Sequence, residues 1–184
     1  MSAGRRRIWI AGAIAVAALG VGGPPVSAGW GASTFTGSCQ FSGSVAFRPP
    51  LTDRPQAVSQ KVRAPGTCSG TLVDRRGRTH ALSSAPVTFA ESSRGDAVSC
   101  TAGTPTGSGT LRFRHATIRF AFSETRAGGA VFASATGRSS GSAHGLAMVS
   151  QSEDPVAIER ACAGSGLAKV KVDGQLRTTP SLSG

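Results

Sequence analysis

The chain of 184 residues has no tyrosine, no asparagine, three lysines, three histidines, and nine acidic residues against twenty basic ones. Each shortage removes a class of function. The histidines, His80, His115 and His144, are scattered, each in a different turn or strand edge, with no H-x-H or H-x₃-H pair. The cysteines are 29 or more residues apart, so the close ligand pairs of a zinc site are missing too. No phosphate loop, dinucleotide fingerprint or haem attachment motif occurs, and no cofactor is expected. Acid–base chemistry has little to draw on. Glu91, Glu124 and Asp173 are carboxylates that the fold could bring together, but sequence gives no separations from which a glycosidase pair could be read.

Long apolar runs are also missing. The longest uncharged, mostly apolar stretch is Ile8 to Val21, fourteen residues, short of the ~20 that a spanning helix needs. It follows Arg5-Arg6-Arg7 and precedes a helix-breaking segment ending Val26-Ser27-Ala28, the layout of a cleavable export signal over residues 1–28. A retained N-terminal anchor is the weaker alternative. The route stays open between general secretion and the twin-arginine pathway, because "GRRRIWI" has a weak form of the latter signal. The expected location is extracellular, with no membrane span after cleavage.

Losing three arginines with that signal leaves seventeen basic residues against nine acidic ones, a charge of +8. Such a balance suits an anionic partner. The lack of Tyr, Asn and Lys beside abundant Ala, Gly, Arg and Pro has another source, a GC-rich genome that encodes its cations as arginine. The arginines are dispersed, which favours solvated surface charge. Arg112, Arg114 and Arg119 form one of the two densest groups and are the candidate anion contacts. They interleave with Phe113, Phe120 and Phe122, but strand alternation sets the rings on the opposite face. There is thus no specific nucleic-acid signal. The candidate partners are an anionic cell-envelope polymer or a small ligand.

What is present is alternation. Short segments of apolar and polar residues in turn, separated by Gly, Ser, Pro and Asp clusters, predict an all-β domain. Strands are expected at 33–47, 58–73, 79–90, 96–101, 108–114, 117–125, 130–137, 143–151 and 167–178. One short helix is expected in "EDPVAIERAC" (153–162), with Asp154 as N-cap and Pro155 at its first position. Close turns at "RAGG" and "GRSSG" make neighbours antiparallel. The architecture is an antiparallel sandwich or an up-and-down barrel of about eight or nine strands. Residues 29–178 form the single domain, and 179–184 are expected to trail as a tail. The strands carry many Ala and Gly, and a core of small side chains buries little area per residue.

That light core gives the four cysteines a role. Cys39, Cys68, Cys100 and Cys162 all follow the signal, and an even number in an oxidising compartment reads as two disulfides. A hairpin of the first two strands centred between Asp53 and Arg54 sets Cys39 opposite Cys68 and Val45 opposite Val62. Facing residues of an antiparallel pair come within reach of a disulfide. Cys100–Cys162 then follows by exclusion and ties the helix to a middle strand.

Two short motifs carry less. "GRSSG" matches G-x-S-x-G around Ser139, but that elbow requires a strand-to-helix turn and a later triad histidine, and His144 follows too closely. Arg94-Gly95-Asp96 reads as a tight hairpin turn using its glycine. The order of "TGSCQFSGSVAFRPPLT", "GTCSGTL", "SCTAGTPTGSGTLRF", "TIRFAF" and "CAGSGLAKVKVDGQL" resembles a group of small secreted proteins of unknown function from high-GC Gram-positive bacteria. The resemblance covers nearly all of the expected mature chain. It implies export and a compact β domain, but no activity and no site residues. The expectation is a secreted, non-enzymatic β domain with a binding or structural role. The alternative is an extracellular hydrolase whose Ser, His and carboxylate site is assembled by the fold.

Overall fold

A computed structural model of the chain describes residues 31–184. The segment read as an export signal lies outside the described residues. Nine strands and one helix follow in the order β1 (Thr34–Leu51), β2 (Gln56–Val73), β3 (Thr79–Val98), β4 (Ala102–Gly103), β5 (Thr106–Arg112), β6 (Thr117–Ala127), β7 (Ala130–Gly137), β8 (Ser140–Val149), α1 (Pro155–Ala163) and β9 (Leu167–Ser183). The main strands pair antiparallel with their neighbours in the chain, and β9 returns to β1. Pairing of β6 with β7 completes the ring, so the structure is a closed up-and-down barrel of eight strands with the two-residue β4 appended to β6.

Alternation makes the barrel. On β6, Ile118, Phe120, Phe122 and Glu124 are buried while Arg119, Ala121 and Ser123 are exposed. The same period of two runs along β2 through Val58, Gln60, Val62, Ala64 and Cys68. One half of the interior is filled by Phe35, Leu72, Leu111, Phe113, Ile118, Phe120 and Leu182. Side chains of this size each contribute about 1.5–3 kcal/mol when fully buried. A smaller cluster at the other end holds Val45, Phe47, Leu51, Val58, Val98 and Val170, with Ile158 of α1 against it.

The hairpin register is the one expected, with Cys39 opposite Cys68 and Val45 opposite Val62. The Cys39–Cys68 disulfide joins these facing residues at a Cα–Cα distance of 4.0 Å. Gly37 faces Gly70 in the same ladder, both at positive φ. A Cβ on either would lie 2.1 Å from a backbone oxygen of the opposite strand, so only glycine fits this crossing. The second disulfide, Cys100–Cys162, holds α1 at the barrel end where the β1–β2 loop, the β3–β4 loop and the β6–β7 turn gather. The Asp53 N–H donates to the carbonyl of Cys162 at 3.1 Å and the Cys100 N–H to that of Thr52 at 2.9 Å. As expected, Asp154 caps α1, accepting from the Val156 N–H at 2.9 Å, with Pro155 beginning the helix.

Three expectations are corrected. No turn separates strands at 90 and 96, because β3 runs unbroken from Thr79 to Val98. The Arg94-Gly95-Asp96 tripeptide therefore lies within a strand, where Arg94 pairs with Ser59 and Gly95 with Val58. The long partner strand β2 holds this segment extended, and Gly95 needs no positive φ there. Finally, residues 179–183 are the end of β9, with Leu182 fully buried against the core and paired with Phe35. Pairing with β1 and β8 on either side, with Leu182 buried, anchors it.

Candidate functional site

The half of the barrel nearest α1 is not filled. It encloses a cavity of about 880 Å³ that reaches solvent beside α1. Its volume comes from small inward residues. Ala133 on β7, Gly145 and Ala147 on β8 and Gly174 on β9 line one stretch of wall, which continues across β1, where Phe41 pairs with Gly174, to Phe47 and to Phe89 on β3. Phe41 and Phe89 lie 5.0 Å apart between centroids, and Phe89 leans on Phe120 at 6.1 Å. The abundance of Ala and Gly that looked like a weak core is thus the source of an internal space. The exposed lining residues Thr101, Gly128, Gly129, Gln151 and Glu159 form its rim.

Four polar side chains project into this largely apolar space from β2, β3 and β6. The Gln60 Nε2 donates to Glu124 Oε2 at 2.5 Å, and the Arg126 Nη2 donates to Gln60 Oε1 at 2.6 Å. The Arg126 guanidinium lies 5.1 Å over the Phe47 ring. Glu91 reaches Glu124 through a hydrogen bond between the two carboxyls. β5 lies between their strands and carries Gly107 and Gly109 there. A Cβ on Gly109 would stand 2.4 Å from the Phe120 ring, so the bare strand lets side chains of β3 and β6 meet over it.

Charge in such a place is costly unless matched. Burial, the charge of Glu124 and the hydrogen bond to Glu124 push Glu91 far above the ordinary carboxylate range, against the pull of Arg126 and Gln60. Glu91 is therefore a neutral acid at pH 7 and supplies the proton between the carboxyls. Burial also lowers Arg126 from the usual guanidinium value, while Glu124 and Glu91 act to raise it. Two polar atoms of the network remain buried without a partner, Glu91 Oε1 and Arg126 Nε. The side chains of this network line the cavity and give a ligand's head group polar partners in an otherwise apolar space.

The residues singled out by sequence are distributed as follows. Of the three carboxylates, Glu91 and Glu124 meet. Asp173 does not, and hydrogen bonds from Ser150 and Ser42 hold it below its ordinary range. Arg112, Arg114 and Arg119 are exposed and take no part in the cavity lining. Ser139 lies in a strand–turn–strand connection, donating its N–H to the Ser183 carbonyl at 3.0 Å, without the helix an elbow needs. His144 stands on the outer face with Nδ1 3.5 Å from Ser134 Oγ. Contrary to the expectation of isolated histidines, His80 and His115 stack at 4.6 Å, at the barrel end away from α1. His80 Nε2 is 3.2 Å from Asp74 Oδ2. Burial acts to raise Asp74, but bonds from His80, from Arg78 and from the Arg76 amide outweigh it and hold the carboxyl well below its ordinary range. Among the described residues one trio has metal-ligand spacing, Asp53 with Cys100 and Cys162, and its two sulfurs are joined in the disulfide.

Gln60 and Arg126 were not foreseen. The signal was present, since Gln60, Glu91, Glu124 and Arg126 each continue the buried phase of a strand in place of an apolar residue. Comparison with protein-family models, curated proteins and solved structures returns no match for this chain.

Proposed function

We propose that this protein is exported and binds an apolar small molecule inside its barrel, without transforming it. The observation that carries this reading is the cavity: about 880 Å³, within the usual range for small-molecule sites, mostly apolar, and furnished with one cluster of hydrogen-bonding groups. A protein that had only a structural role would gain stability by filling such a space, because voids cost packing energy. Here small residues keep it open beside three phenylalanines. Two disulfides fit an oxidising compartment, and no described helix is long and apolar enough to cross a membrane. The separation of Ser139 and His144 from the carboxylate pair favours binding over hydrolysis.

The test is a titration with the apolar fluorophore N-phenyl-1-naphthylamine. One saturable site, with enhanced and blue-shifted emission, is expected. An Ala133→Phe variant, which places a ring in the cavity, should weaken binding at least tenfold while remaining folded. Absence of saturable binding by the native protein would overturn the proposal.

A further inference from the structure

We infer that the cavity selects ligands whose buried head group is uncharged, such as a hydroxyl or primary amide on an apolar body. This rests on the ligand-binding reading above and specifies its ligand class. Gln60 donates to Glu124 and accepts from Arg126, and all three line the cavity with Glu91. A carboxylate and a guanidinium joined in this way already match each other, so the wall offers hydrogen-bonding groups and no uncompensated charge. A hydroxyl or amide can bond such a wall without bringing a charge.

Charge accounting leads to the same class. With Glu91 protonated, the carboxylate of Glu124 and the guanidinium of Arg126 balance, and the cavity is neutral. A carboxylate head would add a second negative charge beside Glu124 in a low-dielectric space. It could enter only by bringing a proton with it. An amine head would add a second cation beside Arg126, or force Glu91 to release its proton. A neutral head moves no proton.

The experiment displaces N-phenyl-1-naphthylamine at pH 7 with four ligands sharing a twelve-carbon chain: dodecan-1-ol, dodecanamide, dodecanoate and dodecylamine. The alcohol and amide should bind at least tenfold more tightly than either ion. Calorimetry in two buffers of different ionisation enthalpy should show no proton exchange for the alcohol and uptake of about one proton for dodecanoate. In Glu124→Gln, which leaves Arg126 unbalanced, the order should reverse in favour of dodecanoate. Should that variant fail to fold, the proton count on the native protein still decides. Equal binding of all four heads, or dodecanoate binding tightest without proton uptake, would overturn this inference and leave the cavity reading standing. No binding by any ligand or by the fluorophore would overturn both.

Discussion

Replacing Glu91 by glutamine should make the protein more stable at neutral pH and change it little in acid. In the unfolded chain this carboxyl ionises near its ordinary value of 4.5, whereas in the folded barrel burial and Glu124 hold its proton far above that. Below pH 4.5 both states are protonated and the contribution of Glu91 to stability is fully present. As pH rises further, the unfolded state gains by ionising while the folded state cannot follow. Stability then falls by about 1.4 kcal/mol per pH unit until the folded group itself titrates. Between pH 4.5 and pH 7 the loss is about 3 kcal/mol. Glutamine does not titrate, and its amide N–H can donate to Glu124 as the acid proton does. Other ionisable groups are common to both proteins and cancel in the comparison. Urea denaturation at a series of pH values, extrapolated to water, measures the difference directly. It should widen by about 3 kcal/mol in favour of the variant from pH 4.5 to pH 7. Parallel stability curves would show that Glu91 ionises normally, and the shared-proton network would have to be abandoned.

Further outcomes follow from other parts of the molecule. Asp74→Asn should lower the melting temperature at pH 7, because the native carboxylate is favoured by its bonds to His80, Arg78 and Arg76. That advantage is present above the ordinary value of 3.8 and is lost as pH falls through the depressed folded value. The two proteins should therefore converge in strong acid, and a constant gap would contradict the assignment. Removing the Cys39–Cys68 bridge as a double Cys→Ala variant frees a 29-residue loop and should cost about 3–4 kcal/mol in urea denaturation. Gly109→Ala, whose Cβ would meet the Phe120 ring at 2.4 Å, should cost about 1–3 kcal/mol through overpacking. Mass spectrometry of the exported protein should find a chain beginning at Gly29 and lighter by the four hydrogens of two disulfides. An uncleaved N-terminus would refute cleavage after Ala28 in favour of a retained anchor, and free thiols would refute the two disulfides.

The fold was legible because its signal is local. Period-two alternation, visible residue by residue in 117–125, sets strand faces. The hairpin centre between Asp53 and Arg54 sets a register that places two cysteines opposite each other. Closure was not legible, because the pairings of β9 with β1 and of β6 with β7 depend on curvature accumulated around the whole sheet, and alternation is the same in a sandwich. The extents of β3 and β9 were missed for a related reason. "SSRGD" and "TTPSLSG" have turn-like compositions, and long partner strands override them. The site was half visible. Glu91 and Glu124 were named as carboxylates that could meet, but their strands are separated by β5, and nothing local announces that its glycines open a path between them. Gln60 and Arg126 were hidden for the opposite reason: each occupies an apolar register position, where alternation reads a core residue. The cavity was hidden in the same way, since Ala and Gly on inward positions signal either a tight core or a space, depending on what faces them.

The most direct test of the cavity is a heteronuclear NMR titration of the folded protein with dodecan-1-ol. Saturable shifts should appear on the side chains of Phe41, Phe47, Phe89 and Ala133, which line the cavity, with those of the outward Phe132 unchanged. Shifts confined to the side chain of Phe132, which is 53% exposed on the outer wall, would contradict an internal site. They would mean that the molecule engages apolar partners from outside.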